Sequence, residues 1–190
     1  MTLLIIGLVL FLGVHSVSIA APAWRDAQVA RLGEKPWKGL YSLVSIAGFV
    51  VLLYGFGQAR QAPVVLYAPP AGLRHFALLL LLPVFPLFIA TYFPGRISAA
   101  VKHPTLVAVK LWAVAHLLAN GTLADLLLFG GFLAWAVADR ISLKYRTPRP
   151  VPGVPPRPAN DVIAVVAGLE IYALFVVRVH QWLIGVSPLA

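Results

Sequence analysis

Long runs of apolar residues, interrupted by short polar connections, set the pattern of this chain, and six of the runs predict helices. The first is Thr2 to Ala21 and carries no charge; Ala21-Pro22-Ala23 loosely resembles a cleavage site, but no basic segment precedes the run, so it reads as a retained span. Gly39 to Gly57 is the second, opened by the interfacial aromatics Trp37 and Tyr41. His75 to Phe93 is the third, and Pro83 and Pro86 should kink it, leaving carbonyls for neighbouring groups to satisfy. Pro104 opens the fourth, which runs to Ala119. Asn120-Gly121 predicts a tight reversal, Thr122 a cap, and a fifth span ending near Asp139. Asn160 or Asp161 should cap the sixth, which ends near Gly185.

Between the runs lie connections of different kinds. Trp24 to Lys38 is polar, the stretch leading to Pro70 reads as an extended loop, and Arg96 to Lys102 is short. The connection of about 146–159 is rich in proline, and its Pro148-Arg149-Pro150 triplet favours polyproline II. Gly130, Ala134 and Ala138 recur every fourth residue on the fifth span, a small-residue face suited to close packing within a bundle or between copies.

Composition turns these runs into membrane spans. The chain of 190 residues is 61% hydrophobic and 11% charged, too apolar for a water-soluble domain of this length. The expected fold class is all-α: a polytopic membrane helix bundle of about six transmembrane helices, forming one domain over 1–190. The net charge of +9 does not indicate nucleic acid, because the basic residues sit in connections rather than on one solvated face. Arg25, Arg31, Lys35, Lys38, Arg96, Lys102, Arg140, Lys144, Arg146, Arg149 and Arg157 lie in the odd-numbered connections, against Arg60 and Arg74 in the second. The positive-inside rule therefore puts both termini on the non-cytoplasmic side and the proline-rich connection in the cytoplasm. With no cysteine there is no thiolate ligand or cysteine nucleophile. The chain also lacks a phosphate loop, an H-E-x-x-H helix and a nucleophile elbow, which leaves hydrolase and nucleotide-driven readings without support.

Ionisable residues inside the spans are the candidate chemistry, since each is costly there. His15 and Lys110 lie roughly 10 Å from the cytoplasmic end and Glu170 about 13 Å. Lys110 and Glu170 either neutralise each other or contact a bound group, and Lys110 can instead snorkel to the headgroups. His116 lies about 20 Å from the start of its span, on the face of Trp112 and Asn120, while His103 shares another face with Lys110. A backbone carbonyl or Asn120 would satisfy the His116 ring in a purely structural role. His180, beside Trp182, reads as interfacial. Two histidines on separate helices, His15 and His116, can supply the axial nitrogens of a haem iron, or His15 alone does so.

The segments LVLFLGVHSVSI, WRDAQVARLGEKPWKGLYSLVSIAGFVVLLYGF and HPTLVAVKLWAVAHLLANGTLADLLLFGGFLAWAVADRISLK, with the closing helix, resemble the bacterial NnrU family over nearly the whole chain. That resemblance implies a multi-pass protein of the bacterial inner membrane, in a nitric oxide or denitrification context. The same superfamily includes the 15-cis-zeta-carotene isomerase, a membrane enzyme with histidine-ligated haem b. The resemblance implies haem b on His15 and His116, membrane lipids as surroundings, and a lipophilic polyene or small gas as the reacting partner. Leu133 to Val137 carry no histidine where the isomerase has extra ones, so a second ligand from that helix is missing. His103-Pro104 is also similar to a segment of membrane methyltransferases that bind S-adenosylmethionine, although Asp139 and Arg140 stand where those enzymes have paired glutamates. A non-enzymatic assembly or transport factor is the remaining alternative.

Overall fold

The computed structural model describes residues 1–147, 149 and 151–189. Its helices are α1 (Thr2–Ala20), α2 (Pro22–Leu32), α3 (Glu34–Ala59), α4 (Ala71–Leu81), α5 (Val84–Tyr92), α6 (Arg96–Val101), α7 (Pro104–Ala119), α8 (Leu123–Ser142), α9 (Ala159–Leu174) and α10 (His180–Ile184), the last two joined by a π-helical turn, Phe175–Val179. Among the described residues no strand forms, and a single antiparallel bridge joins Val65 to Thr122. Four helical stretches are long and apolar enough to cross a membrane: Thr2–Ala20, Glu34–Ala59, Ala71–Tyr92 and Ala159–Ile184. α7 is a shorter apolar helix, and α8, at 20 residues, carries Asp125, Asp139 and Arg140.

The chain divides into two compact units, Met1–Leu66 with Thr122–Arg146, and Tyr67–Gly121 with residues 147–190. In the first unit α1 and α3 pack against each other at backbone distance. Glycines permit this: a Cβ on Gly7 would collide with the Leu52 backbone, one on Gly55 with that of Leu4, and one on Gly48 would stand 2.8 Å from the Phe11 amide nitrogen. Close approach replaces the hydrophobic effect as the attraction between helices when both outer faces meet lipid. Those outer faces are apolar too, with Val9 66%, Leu43 66% and Ile46 62% exposed. By contrast, Ala134 and Ala138 are exposed on α8, and a Cβ on Gly130 would meet only Leu126 of its own helix. The small-residue face expected to pack within the bundle is therefore open, and the glycines of α1 and α3 make the close contact.

The polar connection after α1 is helical rather than loop-like. Pro22 starts α2 as a first-turn proline, and Gly33, at φ 88°, turns the chain into α3 five residues ahead of the expected start. Glu34 and Lys38 then form an exposed pair one turn apart. Thr122 caps α8 as expected: its hydroxyl accepts from the Asp125 amide at 3.2 Å, and the Asp125 carboxylate accepts from Thr122 in return.

In the second unit α5 packs on both α7 and α9 around Val84, Leu87 and Ala108. The expected kink appears at Leu82-Pro83, between α4 and α5. There the Leu82 amide donates to the Leu79 carbonyl instead of Leu78, and the Tyr172 hydroxyl donates to Leu78 at 2.9 Å. A tyrosine from another helix thus satisfies the carbonyl that the kink releases. Gly168 lies so close to Pro86 that a Cβ would overlap the proline backbone.

The cap expected from Asn160 or Asp161 is not made on their own helix, whose N-cap position is Pro158. Asp161 instead accepts from the Arg96 and Ile97 amides at 2.8 and 3.0 Å, capping α6. Asn160, wholly buried, donates to the carbonyls of Pro94 and Pro155 and accepts from Arg157. These two side chains pin the proline-rich connection to the end of α5. From 151 to 157 that connection has no regular structure; Pro148 and Pro150 of the triplet lie outside the described residues.

Candidate functional site

The two histidines singled out by the sequence fall in different units, and each has its own surroundings. His15 is one turn from the end of α1, where its Nδ1 lies 2.7 Å from the Phe11 carbonyl oxygen. A carbonyl only accepts, so Nδ1 carries the proton and the lone pair of the neutral ring is on Nε2. Three aromatic rings surround the imidazole: Phe11 at 4.3 Å, Tyr41 at 5.3 Å and Trp135 edge-on at 5.9 Å between centroids. α1, α3 and α8 each contribute to this enclosure.

Asp139 follows Trp135 by one turn on the same face of α8. Its carboxylate is buried and bonds at 2.6 Å to Arg146, whose side chain is 15% exposed. Asp139 thus pairs with an arginine beyond the helix end rather than with the adjacent Arg140. Among the described residues three buried side-chain atoms of this unit, Ser45 Oγ, Trp135 Nε1 and Arg146 Nη1, have no hydrogen-bond partner. His15 is therefore a half-buried ring packed among aromatic side chains, in the unit that also holds the Asp139–Arg146 pair.

His116 lies in the last turn of α7, three residues from its end. Measured from this nearer end it is only about 5 Å along the helix, against about 20 Å from the Pro104 end. Its Nδ1 is 2.8 Å from the Trp112 carbonyl oxygen, and the Trp112 ring is 5.3 Å away. Asn120 bonds the main-chain carbonyl of His116, so it closes the helix end and leaves the imidazole to Trp112. The Tyr67 hydroxyl donates to the neighbouring Leu117 carbonyl.

The remaining candidates separate. His103 is the N-cap residue of α7, with its main-chain carbonyl accepting from Leu106 and Val107. Lys110 is half-buried and Glu170 is exposed on α9, and no ion pair joins them. The mutual neutralisation expected of that pair does not occur, because Glu170 stands on the face of α9 opposite Gly168, which packs on Pro86. Among the described residues no group of three or more histidines and acids converges as a metal cage.

Three groups were not legible as site residues. Tyr41 reads as an interfacial aromatic and Trp135 has no sequence feature that marks it, and only the three-helix assembly puts them round His15. Arg146 belongs to a connection, where helical spacing assigns no direction. His180, expected at the interface, stands 6.5 Å from His116 between ring centroids with planes 25° apart, within the second unit.

Comparison with curated proteins and with solved structures gave no match. The family model described as NnrU protein matches residues 3–188, across all the helices described above. With almost its entire length covered by that match, the chain belongs to the NnrU family.

Proposed function

We propose that this NnrU-family chain is a multi-pass protein of the bacterial inner membrane that binds haem b through the half-buried histidines His15 and His116. In this reading α7 and α8 complete a set of six spans, with both termini outside, and the function lies in redox or isomerase-like chemistry on a lipophilic polyene or a small gas. The observation that carries the reading is the seat shared by His15 and His116. Each ring gives its Nδ1 proton to the carbonyl four residues earlier, at 2.7 and 2.8 Å. That second bond is the usual support of a metal-binding histidine: it fixes the tautomer and ring orientation and raises the basicity of the other nitrogen.

The surroundings of His15 fit the same role. Phe11, Tyr41 and Trp135 pack round the half-buried imidazole, and Arg146 keeps the Asp139 charge compensated. Haem, when bound, would supply an iron able to act as Lewis acid or electron donor. The apolar exterior gives a lipophilic substrate access from the bilayer.

The visible absorption spectrum of protein expressed with haem supplementation and purified in detergent tests this. A Soret band that is lost or shifted in His15→Ala or His116→Ala is expected. A wild-type protein without a Soret band overturns the proposal.

A further inference from the structure

His180 was not a candidate by sequence, yet its backbone is arranged to bring it inward. Along a continuous α-helix it would lie about 80° round the axis from Tyr172, whose hydroxyl reaches across to α4. The π-helical turn Phe175–Val179 intervenes, and its wider coil turns roughly 18° less per residue, or about 90° over five residues. That brings His180 back to the face of Tyr172. π-helical turns of this kind are frequent at functional sites because they re-aim a side chain in this way.

The end of the helix reinforces the placement. Gly185 closes α10 at φ 77°, a conformation that glycine adopts without strain, and the chain doubles back. The Val186 carbonyl thereby comes within 2.7 Å of His180 Nδ1. His180 and His116 thus have the same tautomer, each with the lone pair on Nε2. The rings belong to α7, which packs on α4 and α5, and to α10, which continues α9 through the π-helical turn while α9 packs on α5.

The separation can be set against the spacing that one shared metal ion requires. With metal–nitrogen bonds of about 2.0–2.1 Å and roughly 1.1 Å from nitrogen to ring centre, trans imidazoles stand about 6.3 Å apart. Two imidazoles on a tetrahedral ion stand about 5 Å apart by the same arithmetic. The observed 6.5 Å fits the trans arrangement.

We propose that His116 and His180 hold one transition-metal centre between them as trans imidazole ligands, either as a bare ion or as the iron of a planar macrocycle. The proposal rests on reading His116 as a metal-binding histidine, and on that centre His180, in place of His15, supplies the second ligand that α8, without histidine from Leu133 to Val137, does not. Imidazole nitrogen suits copper, nickel, zinc and iron alike, so the two sources need separate arms.

In the first arm copper(II) chloride is added to the full chain in detergent. Paramagnetic resonance is expected to show coupling to two imidazole nitrogens in the wild type and in His15→Ala, and to one in His116→Ala and His180→Ala, with affinity weakened at least about tenfold. In the second arm hemin is added. A six-coordinate low-spin spectrum is expected in the wild type, five-coordinate in His180→Ala, and six-coordinate again when free imidazole is supplied to that variant. Copper coupling and hemin spectra that are both unchanged in His180→Ala overturn the pair. A two-nitrogen copper signal with no hemin binding keeps the pair as a bare-ion site and removes the haem reading. Hemin binding that depends on His15 alone, with copper indifferent to His116 and His180, keeps the haem reading and removes the pair.

Discussion

The two units treat the same residue type in opposite ways. His15 sits in the middle of a three-helix contact, packed among aromatic rings in the unit that also holds the Asp139–Arg146 pair. His116 stands at a helix end, and its neighbour His180 is delivered by a π-helical turn and a glycine reversal. The local device is identical, an Nδ1 bond to a backbone carbonyl, but one ring is shaped by packing and the other by the ends of helices. A histidine ring is thus held in place either by aromatic packing or beside a second histidine.

The difference can be broken most severely in the first unit. Gly55→Leu drives a side chain into the backbone of Leu4, and separation of α1 from α3 should follow, with loss of recoverable folded protein in a detergent extraction assay. A yield and melting temperature equal to wild type would contradict the backbone contact. Arg146→Ala leaves Asp139 buried and unpaired, at a cost of about 3–5 kcal/mol; Arg146→Met with Asp139→Leu should recover most of that in a chemical unfolding titration. The double change tests whether the pair is structural or is needed by the site. If stability returns while the spectrum at His15 stays altered, the carboxylate acts on the histidine.

The second unit should respond in smaller steps. Tyr172→Phe leaves the Leu78 carbonyl without its donor and should cost about 0.6–2 kcal/mol, read as a lowered unfolding midpoint with the fold retained. Gly185→Ala strains the left-handed turn that brings Val186 to His180, with a cost of about 1 kcal/mol and a shift in the resonance of the His180 ring. An unchanged ring resonance would show that the reversal does not position His180.

Much of the architecture was legible because apolar run length is a direct consequence of bilayer thickness. The breaks at Pro83, the first-turn Pro104 and the Thr122 cap followed from local backbone chemistry. The polar stretch after Ala21 was misread because its charges obscured an 11-residue helix that starts on a proline. Asp161 was assigned to its own helix, although its carboxylate serves α6, 64 residues away. A cap donated through tertiary packing leaves no trace in local spacing.

The site was legible in part. His15 and His116 stood out because histidine is rare in such runs. His180 did not, since its inward direction depends on a π-helical turn that breaks the regular spacing used to infer faces. Arg146 was equally hidden, because α8 has ended at Ser142 before the arginine folds back to Asp139.

The central claim is that these histidines hold a haem. It is tested most directly by the haem content of purified wild-type protein, quantified as the pyridine haemochrome and set against the His15→Ala and His116→Ala variants. The account predicts haem in near-stoichiometric amount in the wild type and a several-fold loss in at least one variant. Wild-type protein without haem, or variants that retain it in full with unchanged spectra, would contradict it.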